Sequence, residues 1–291
     1  MSDAATRAPA ETSTRRTRWR RLRRRLAQDP TATAGVLLFL VLVTLSILAP
    51  MVTPYPPTDQ SPSRLAGPSA EHWLGTDNFG RDVLSRIVFG SRISLVTSLA
   101  SIAVAGFLGS LVGLWAAELG GRFDRLVSRL ADGVLAFPSV LIGTLVLVIF
   151  GPGTGNVVIA LSIAFFPRFV RLARGDALAV RDAPFIEAAR ALGTSRVRIV
   201  MRHILPNVLS PIATMATLWA AAAIRIEATL SFLGLGAQPP TPSWGLMLRD
   251  GMDAILFAPG LAIFPGLAVF LTVLSLNMIG DGVRDALAIR D

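Results

Sequence analysis

Residues 182–206 read DAPFIEAARALGTSRVRIVMRHILP. The segment carries Arg190, Arg196, Arg198 and Arg202, yet long apolar runs lie on both sides of it, at 133–167 and 207–235. A polar, Arg-laced stretch in that position must sit in water beside a membrane. Its own pattern is helical. Asp182-Ala183-Pro184 supplies a capping residue and a proline tolerated in the first turn. Gly193 is a natural residue for the left-handed position that ends a helix. The helix predicted between them has about nine residues, or roughly 13 Å at the rise of an α-helix. Thr194 is then placed to cap a second helix running toward Leu205-Pro206, and Pro206 and Pro211 should bend the entry into the next apolar run. Glu187 falls in the first turn, where a carboxylate favours the helix dipole. Ala188, Ala189 and Ala191 keep the helix faces small enough to seat closely in a groove. Taken alone, Glu187 could equally be no more than a favourable first-turn acid.

Composition sets this segment in its frame. The 291-residue chain is 52% hydrophobic and 16% charged, with a mean hydropathy of +0.58. Those values fit a multi-span membrane protein rather than a soluble domain. With no Cys, disulfides and thiolate metal sites are excluded. All 28 basic residues are Arg. A Walker A loop needs a Lys to reach nucleotide phosphates, so any ATP chemistry would belong to a partner.

The gaps between charges mark out the spans, each needing ~20 mostly apolar residues. No charge interrupts the chain between Asp29 and Asp59, where Val36–Val52 is the apolar heart. Ile93–Ala117 and Gly133–Pro167 are uncharged, and the second is broken by Gly151-Pro152-Gly153-Thr154-Gly155, a turn signal that divides it into two spans. Asn207–Leu235 and Ala254–Gly280 complete a predicted set of six. Gly109 and Gly113 form a small-xxx-small pair suited to close helix approach.

Orientation follows from the arginines. With the N-terminus inside, the tail at 1–30 contributes nine Arg, the 122–129 connection three, the 168–202 connection eight and the C-terminal end two, against five outside and Arg225 within a span. Both termini are therefore expected in the cytoplasm. The run Arg20-Arg21-Leu22-Arg23-Arg24-Arg25 reads as a topology signal and a contact for anionic lipid rather than for nucleic acid. The apolar stretch that follows is too long for a secretory signal.

Glu187-Ala188-Ala189, Gly193 and Leu205-Pro206 together resemble the EAA loop of ABC-importer permeases. His203 stands where that pattern usually has Ile, but Arg202-His203-Ile204-Leu205-Pro206-Asn207 is similar to the peptide-importing branch. His72-Trp73-Leu74-Gly75-Thr76-Asp77 with Gly80-Arg81-Asp82-Val83-Leu84-Ser85-Arg86 resembles dipeptide, oligopeptide and nickel permeases of the C-subunit type. So do Glu227–Gly236, the Pro239–Gly245 segment and the ending Asn277–Asp285, although the Asp-Pro-Arg usual after that ending is absent. The resemblance runs from about Thr31 to Arg290, and the first 30 residues match nothing specific.

This resemblance implies an all-α integral membrane protein with the type I importer permease fold. The permease domain would occupy 31–291, with the coupling loop at about 173–206. It implies that Glu187, Ala188, Ala189, Gly193, Leu205 and Pro206 dock into an ATPase, and that ATP and Mg are held by partner subunits. It also implies a second, B-type permease, two ATPase subunits or domains, an external solute-binding protein, and a short peptide as cargo. Nickel or another small solute fits the same residues.

An ion-coupled carrier or channel predicts ionisable residues deep in several spans, and only Arg225 and Glu227 qualify. Two residues apart, they cannot face each other on a helix, and a centred charge costs roughly 2.5–3.5 kcal/mol. Glu227 is then either a group facing the translocation path or half of a structural pair. The 72–86 segment is either a cap on the bundle or a receiving surface for cargo. Leu84, Ile87 and Val88 would place an amphipathic helix at the outer interface. His72 is read as structural, with no metal assigned.

Overall fold

The first helix starts at a cap. Asp29 accepts a hydrogen bond from the Thr31 N–H at 2.9 Å, and Pro30 occupies the first turn. In this computed structural model, which describes residues 29–288, α1 runs Pro30–Ile47, α2 Ala49–Val52, α3 Val83–Leu119 and α4 Gly121–Leu135. These are followed by α5 Ser139–Phe150, α6 Thr154–Arg181, α7 Pro184–Ala191 and α8 Arg196–Arg198. A π-helical turn at Ile199–Ile204 leads into α9 Leu205–Phe232, and α10 Trp244–Met252 and α11 Gly260–Ala288 complete the chain. The Arg-rich tail and Arg290 lie outside the described residues. Among the described residues there is no strand, only an isolated bridge between Thr76 and Asp82.

Among the described residues, five helical segments are long and apolar enough to cross a membrane: α1, α3, α6, the continuous 196–232 segment, and α11. The expected third span differs. Its apolar residues form α5, which at 12 residues is about 18 Å long, short of the ~30 Å hydrocarbon core. α5 is joined to α4 through a 92° bend, and Pro138 sits at the N-cap of α5, where it cannot continue the preceding helix. A sixth crossing exists only if α4 and α5 act together as one broken span. The turn after α5 falls where the glycines indicated, with Gly151 at φ 86° and Gly153 at φ 140°.

The expected interfacial helix around Leu84–Val88 also differs. Those residues are the first turns of α3, which continues unbroken for 37 residues. Val83 and Val88 are buried, so this end is clasped by protein instead of lying on the lipid surface.

Small residues bring the long helices together. A Cβ added to Gly109 would lie 2.6 Å from the Phe166 carbonyl oxygen and 2.8 Å from the Phe169 Cβ. Gly113 is equally close to α6, its added Cβ lying 3.0 Å from the Arg174 nitrogen. The small-xxx-small reading of this pair holds. α1 rests on α11 in the same way, since a Cβ on Gly35 would approach Met278 Cβ to 2.6 Å. Between α6 and α9, Phe169 meets Trp219 edge-on at a centroid distance of 4.5 Å. Arg92 of α3 donates to the Ser46 and Ile47 carbonyls at 2.6 and 2.7 Å, capping the end of α1 with a cation, as the helix dipole favours.

Candidate coupling site and outer cap

The 182–206 segment folds as a short helix braced from behind. α7 has eight residues. Its N-cap is Ala183, with no side-chain cap, because Asp182 is taken up as the C-cap of the long α6. The C-terminal end follows the sequence closely. Gly193 has φ 75°, its N–H bonds to the Arg190 carbonyl at 2.9 Å, and the Thr194 N–H reaches back to the Ala189 carbonyl at 3.1 Å. That pair of bonds is a Schellman cap. Thr194 is spent there and does not cap the next helix; Ser195 stands at that N-cap, without a side-chain bond.

The expected second helix is a three-residue α8 running into the π-turn. The Leu205 N–H bonds to the Val200 carbonyl, five residues back, immediately before Pro206, which has no N–H to offer. Leu205 and Pro206 thus lie inside one continuous helix, Arg196–Phe232.

Two faces of α7 are distinct. Ile186 is fully buried and Ala189 is buried beside it. Glu187 and Ala188 are exposed, and so are Phe185 and Leu192, the latter at 85%. Val197 and Met201 extend this bare apolar surface. Phe185, Ala188 and Leu192 recur at i, i+3 and i+7, a helical-face spacing that marks this surface in the sequence beside the small alanines.

Sequence reasoning also missed Glu118. It is buried in the last turn of α3 and accepts from Arg190 Nη2 at 3.0 Å. Arg181, the last residue of α6, donates to the neighbouring Ala117 carbonyl at 2.7 Å. Asp124 of α4 pairs with Arg174 of α6, and Asp132 with Arg171. Four of the arginines that set the topology reading therefore hold this end of the bundle together.

Arg225 and Glu227 separate. Arg225 is exposed and Glu227 is 1% exposed. Glu227 accepts from Ser231 Oγ at 2.7 Å and is faced by Ser94 of α3, while its Oε2 has no partner among the described residues.

The 72–86 segment forms a cap at the opposite end of α3. Gly75 and Gly80 take φ 81° and 78°, which favours glycine. Asp77 accepts from Arg81 Nε at 2.7 Å and lies 3.3 Å from Arg86 Nε, and its Oδ1 also accepts from the Phe79 and Arg81 N–H groups. Asp82 caps α3 through the Ser85 N–H at 2.7 Å and holds His72 Nδ1 at 3.0 Å. His72 lies against Tyr55, a structural placement. Asp250 of α10 stands 3.8 Å from Arg81. Burial pushes its carboxyl above the ordinary value, with Arg86 and Arg81 pulling the other way. Trp244 at the start of α10 donates through Nε1 to the Ile87 carbonyl at 3.0 Å and through its backbone N–H to Ser94 Oγ at 3.3 Å. Among the described residues no cluster of His, Cys, Asp or Glu is arranged to hold a metal ion.

Comparison with known proteins gives this architecture a family. Residues 109–290 match the model described as binding-protein-dependent transport system inner membrane component. Residues 17–68 match the N-terminal TM domain of oligopeptide transport permease C, a match that starts inside the Arg-rich tail, ahead of Thr31. The chain is 44% identical over 270 residues to the dipeptide transport system permease protein DppC of Alkalihalophilus pseudofirmus, covering 92% of this chain and 89% of that one. It is 43% identical over 274 residues to the glutathione transport system permease protein GsiD of Pectobacterium atrosepticum, covering 94% and 91%. Its fold resembles a chain of the MetNI methionine ABC transporter in an inward-facing conformation, with a TM-score of 0.55 and 20% identity over 69% of this chain and 96% of that one. The chain therefore belongs to the binding-protein-dependent transport system inner membrane component family, as a multi-pass ABC-transporter permease of the bacterial inner membrane similar to the dipeptide and oligopeptide permeases of the C type.

Proposed function

We propose that this chain is the C-type permease of an ATP-driven importer of short peptides. Six spans, with α4 and α5 together forming one of them, would put both termini on the same side, and the arginine bias favours the cytoplasm. α7 and the following turn then face a separate ATPase, which binds ATP and Mg. A second permease completes the path, and an external binding protein delivers cargo. The observation that carries the coupling role is the shape of α7. It is a short helix ended by a Schellman cap, with Phe185, Glu187, Ala188 and Leu192 bare on its outer side. Such a surface rim of apolar anchors with one charge suits a groove on a partner. The peptide reading is supported by the similarity to dipeptide and glutathione permeases.

The test is to tag the chain, extract it gently from its native membrane, and identify what accompanies it, beside Glu187→Arg. Recovery of a P-loop ATPase and a second permease with the wild type, and loss of the ATPase from the variant, is expected. A chain recovered alone refutes the reading. Uptake of labelled di- and tripeptides against labelled nickel decides the cargo.

A further inference from the structure

α3 runs from the 72–86 cap to the end of the bundle that carries α7. At 37 residues it is about 55 Å long, well beyond the hydrocarbon thickness. Its N-terminal end is fixed in the outer cap by the Asp82 cap, the Asp77–Arg86 pair and both Trp244 hydrogen bonds. Its C-terminal end carries Glu118 in the final turn, where the helix dipole disfavours a carboxylate, and the side chain is 3% exposed. A buried acid at the wrong end of a helix is held there by its partner, and that partner is Arg190 of α7. α7 reaches α9 through the continuous backbone of α8 and the π-turn. It reaches α3 through this ion pair.

We propose that Glu118–Arg190 is a positioning contact that transmits movement of α7 to α3, so that a displacement begun at the ATPase arrives at the outer cap. The inference rests on the coupling role of α7 proposed above. Arg190 serves as the handle, since it belongs to α7 and its guanidinium donates to the last turn of α3. Arg181, bonded to the Ala117 carbonyl, keeps α6 on the same turn. α3 then moves as one rod, because it is unbroken over its whole length and its flank on α6 is closely packed at Gly109 and Gly113.

This chain has no native Cys, so introduced cysteines are its only labelling sites, and a sample labelled without them supplies the background from partner subunits. In the full complex purified by a tag on this chain, spin labels are placed at Val96→Cys on α3 and Phe270→Cys on α11, both exposed on this chain. Their separation is read with and without a non-hydrolysable ATP analogue and Mg. The expected wild-type shift is on the order of 2–5 Å. Glu118→Gln and, separately, Arg190→Gln should reduce that shift at least about twofold while the ATPase still co-purifies and the nucleotide-free distance stays the same. The exchange Glu118→Arg with Arg190→Glu should restore it, since it keeps the pair, and each site lies in the last turn of its helix so the dipoles favour neither arrangement. An unshifted wild type, single variants that respond fully, or an exchange that restores nothing overturns the proposal, as does loss of the ATPase from both single variants. Failure of the wild-type chain to bring down an ATPase strikes instead at the importer reading itself.

Discussion

Replacing Gly109 by Ala tests how the bundle is held together. The new Cβ would sit 2.6 Å from the Phe166 carbonyl oxygen and 2.8 Å from the Phe169 Cβ. Neither neighbour is the loose end of a flexible side chain, so α3 and α6 must separate. Moving from 2.6 Å to even the 3.0 Å limit of real contacts needs 0.4 Å of backbone displacement. That displacement also strains the edge-on contact of Phe169 with Trp219. Overpacking of this kind costs about 3 kcal/mol at the upper end of its usual range, and the better helix propensity of Ala returns about 1 kcal/mol. The net loss is about 2 kcal/mol, which corresponds to a fall in apparent melting temperature on the order of 5 °C. Gly175→Ala is the internal control, because nothing lies within 4 Å of its added Cβ and only the propensity gain applies. The assay is the fraction of detergent-solubilised protein that stays monodisperse after a heat step. A Gly109→Ala protein that survives heating as well as wild type, or better than Gly175→Ala, would refute the close-approach argument.

Asp77→Ala leaves Arg81 and Arg86 buried without their shared carboxylate and should cost about 3–5 kcal/mol; sharply reduced recovery of folded protein checks it. Asp250 should contribute a pH dependence of one sign. Its carboxyl is raised in the folded state, so stability from this group is greatest below the ordinary carboxylate value of 3.8 and is lost as pH climbs through that value toward the raised one. Asp250→Asn should flatten that part of a melting-temperature profile, and an unchanged slope contradicts the assignment. Leu192→Arg, at an 85%-exposed position, should leave the melting temperature of the isolated chain within the error of wild type while weakening ATPase recovery at least about tenfold, as loss of an interface anchor does.

Sequence made legible the features with one local solution. Gly193 announces the end of α7 because few other residues accept φ 75° cheaply, and Gly109 and Gly113 announce a close approach by spacing alone. What it hid depended on distant partners. Span boundaries were placed at charges, yet Arg86 is neutralised by Asp77 and Arg92 caps the carbonyls of α1, so α3 continues through both. Asp182 reads as a cap for the helix after it but ends the helix before it, because α6 keeps winding past the apolar run. In the sequence Glu118 simply follows the uncharged run Ile93–Ala117. Its significance lies in Arg190, 72 residues away in sequence, and no local pattern records that.

Glu227 can be tested through a quieter neighbour. Ser94, which faces Glu227, lies one turn before Ser98 on α3, and Ser98 is fully buried with a hydroxyl that has no partner among the described residues. Two orphaned oxygens therefore mark this part of the α3–α9 contact, Ser98 Oγ on α3 and Glu227 Oε2 on α9. If this region is closed protein core, Ser98→Ala removes an unpaired buried hydroxyl and improves helix propensity, so stability should hold or rise by up to about 1 kcal/mol. Within a water-bearing path the hydroxyl is solvated, and its removal costs about 0.5–1.5 kcal/mol, the net worth of one hydrogen bond. Thermal stability of Ser98→Ala in the assembled complex separates these by sign. The buried setting of Glu227 favours the first outcome. A loss of stability would refute the closed-core reading and place Glu227 on a wet face of the bundle.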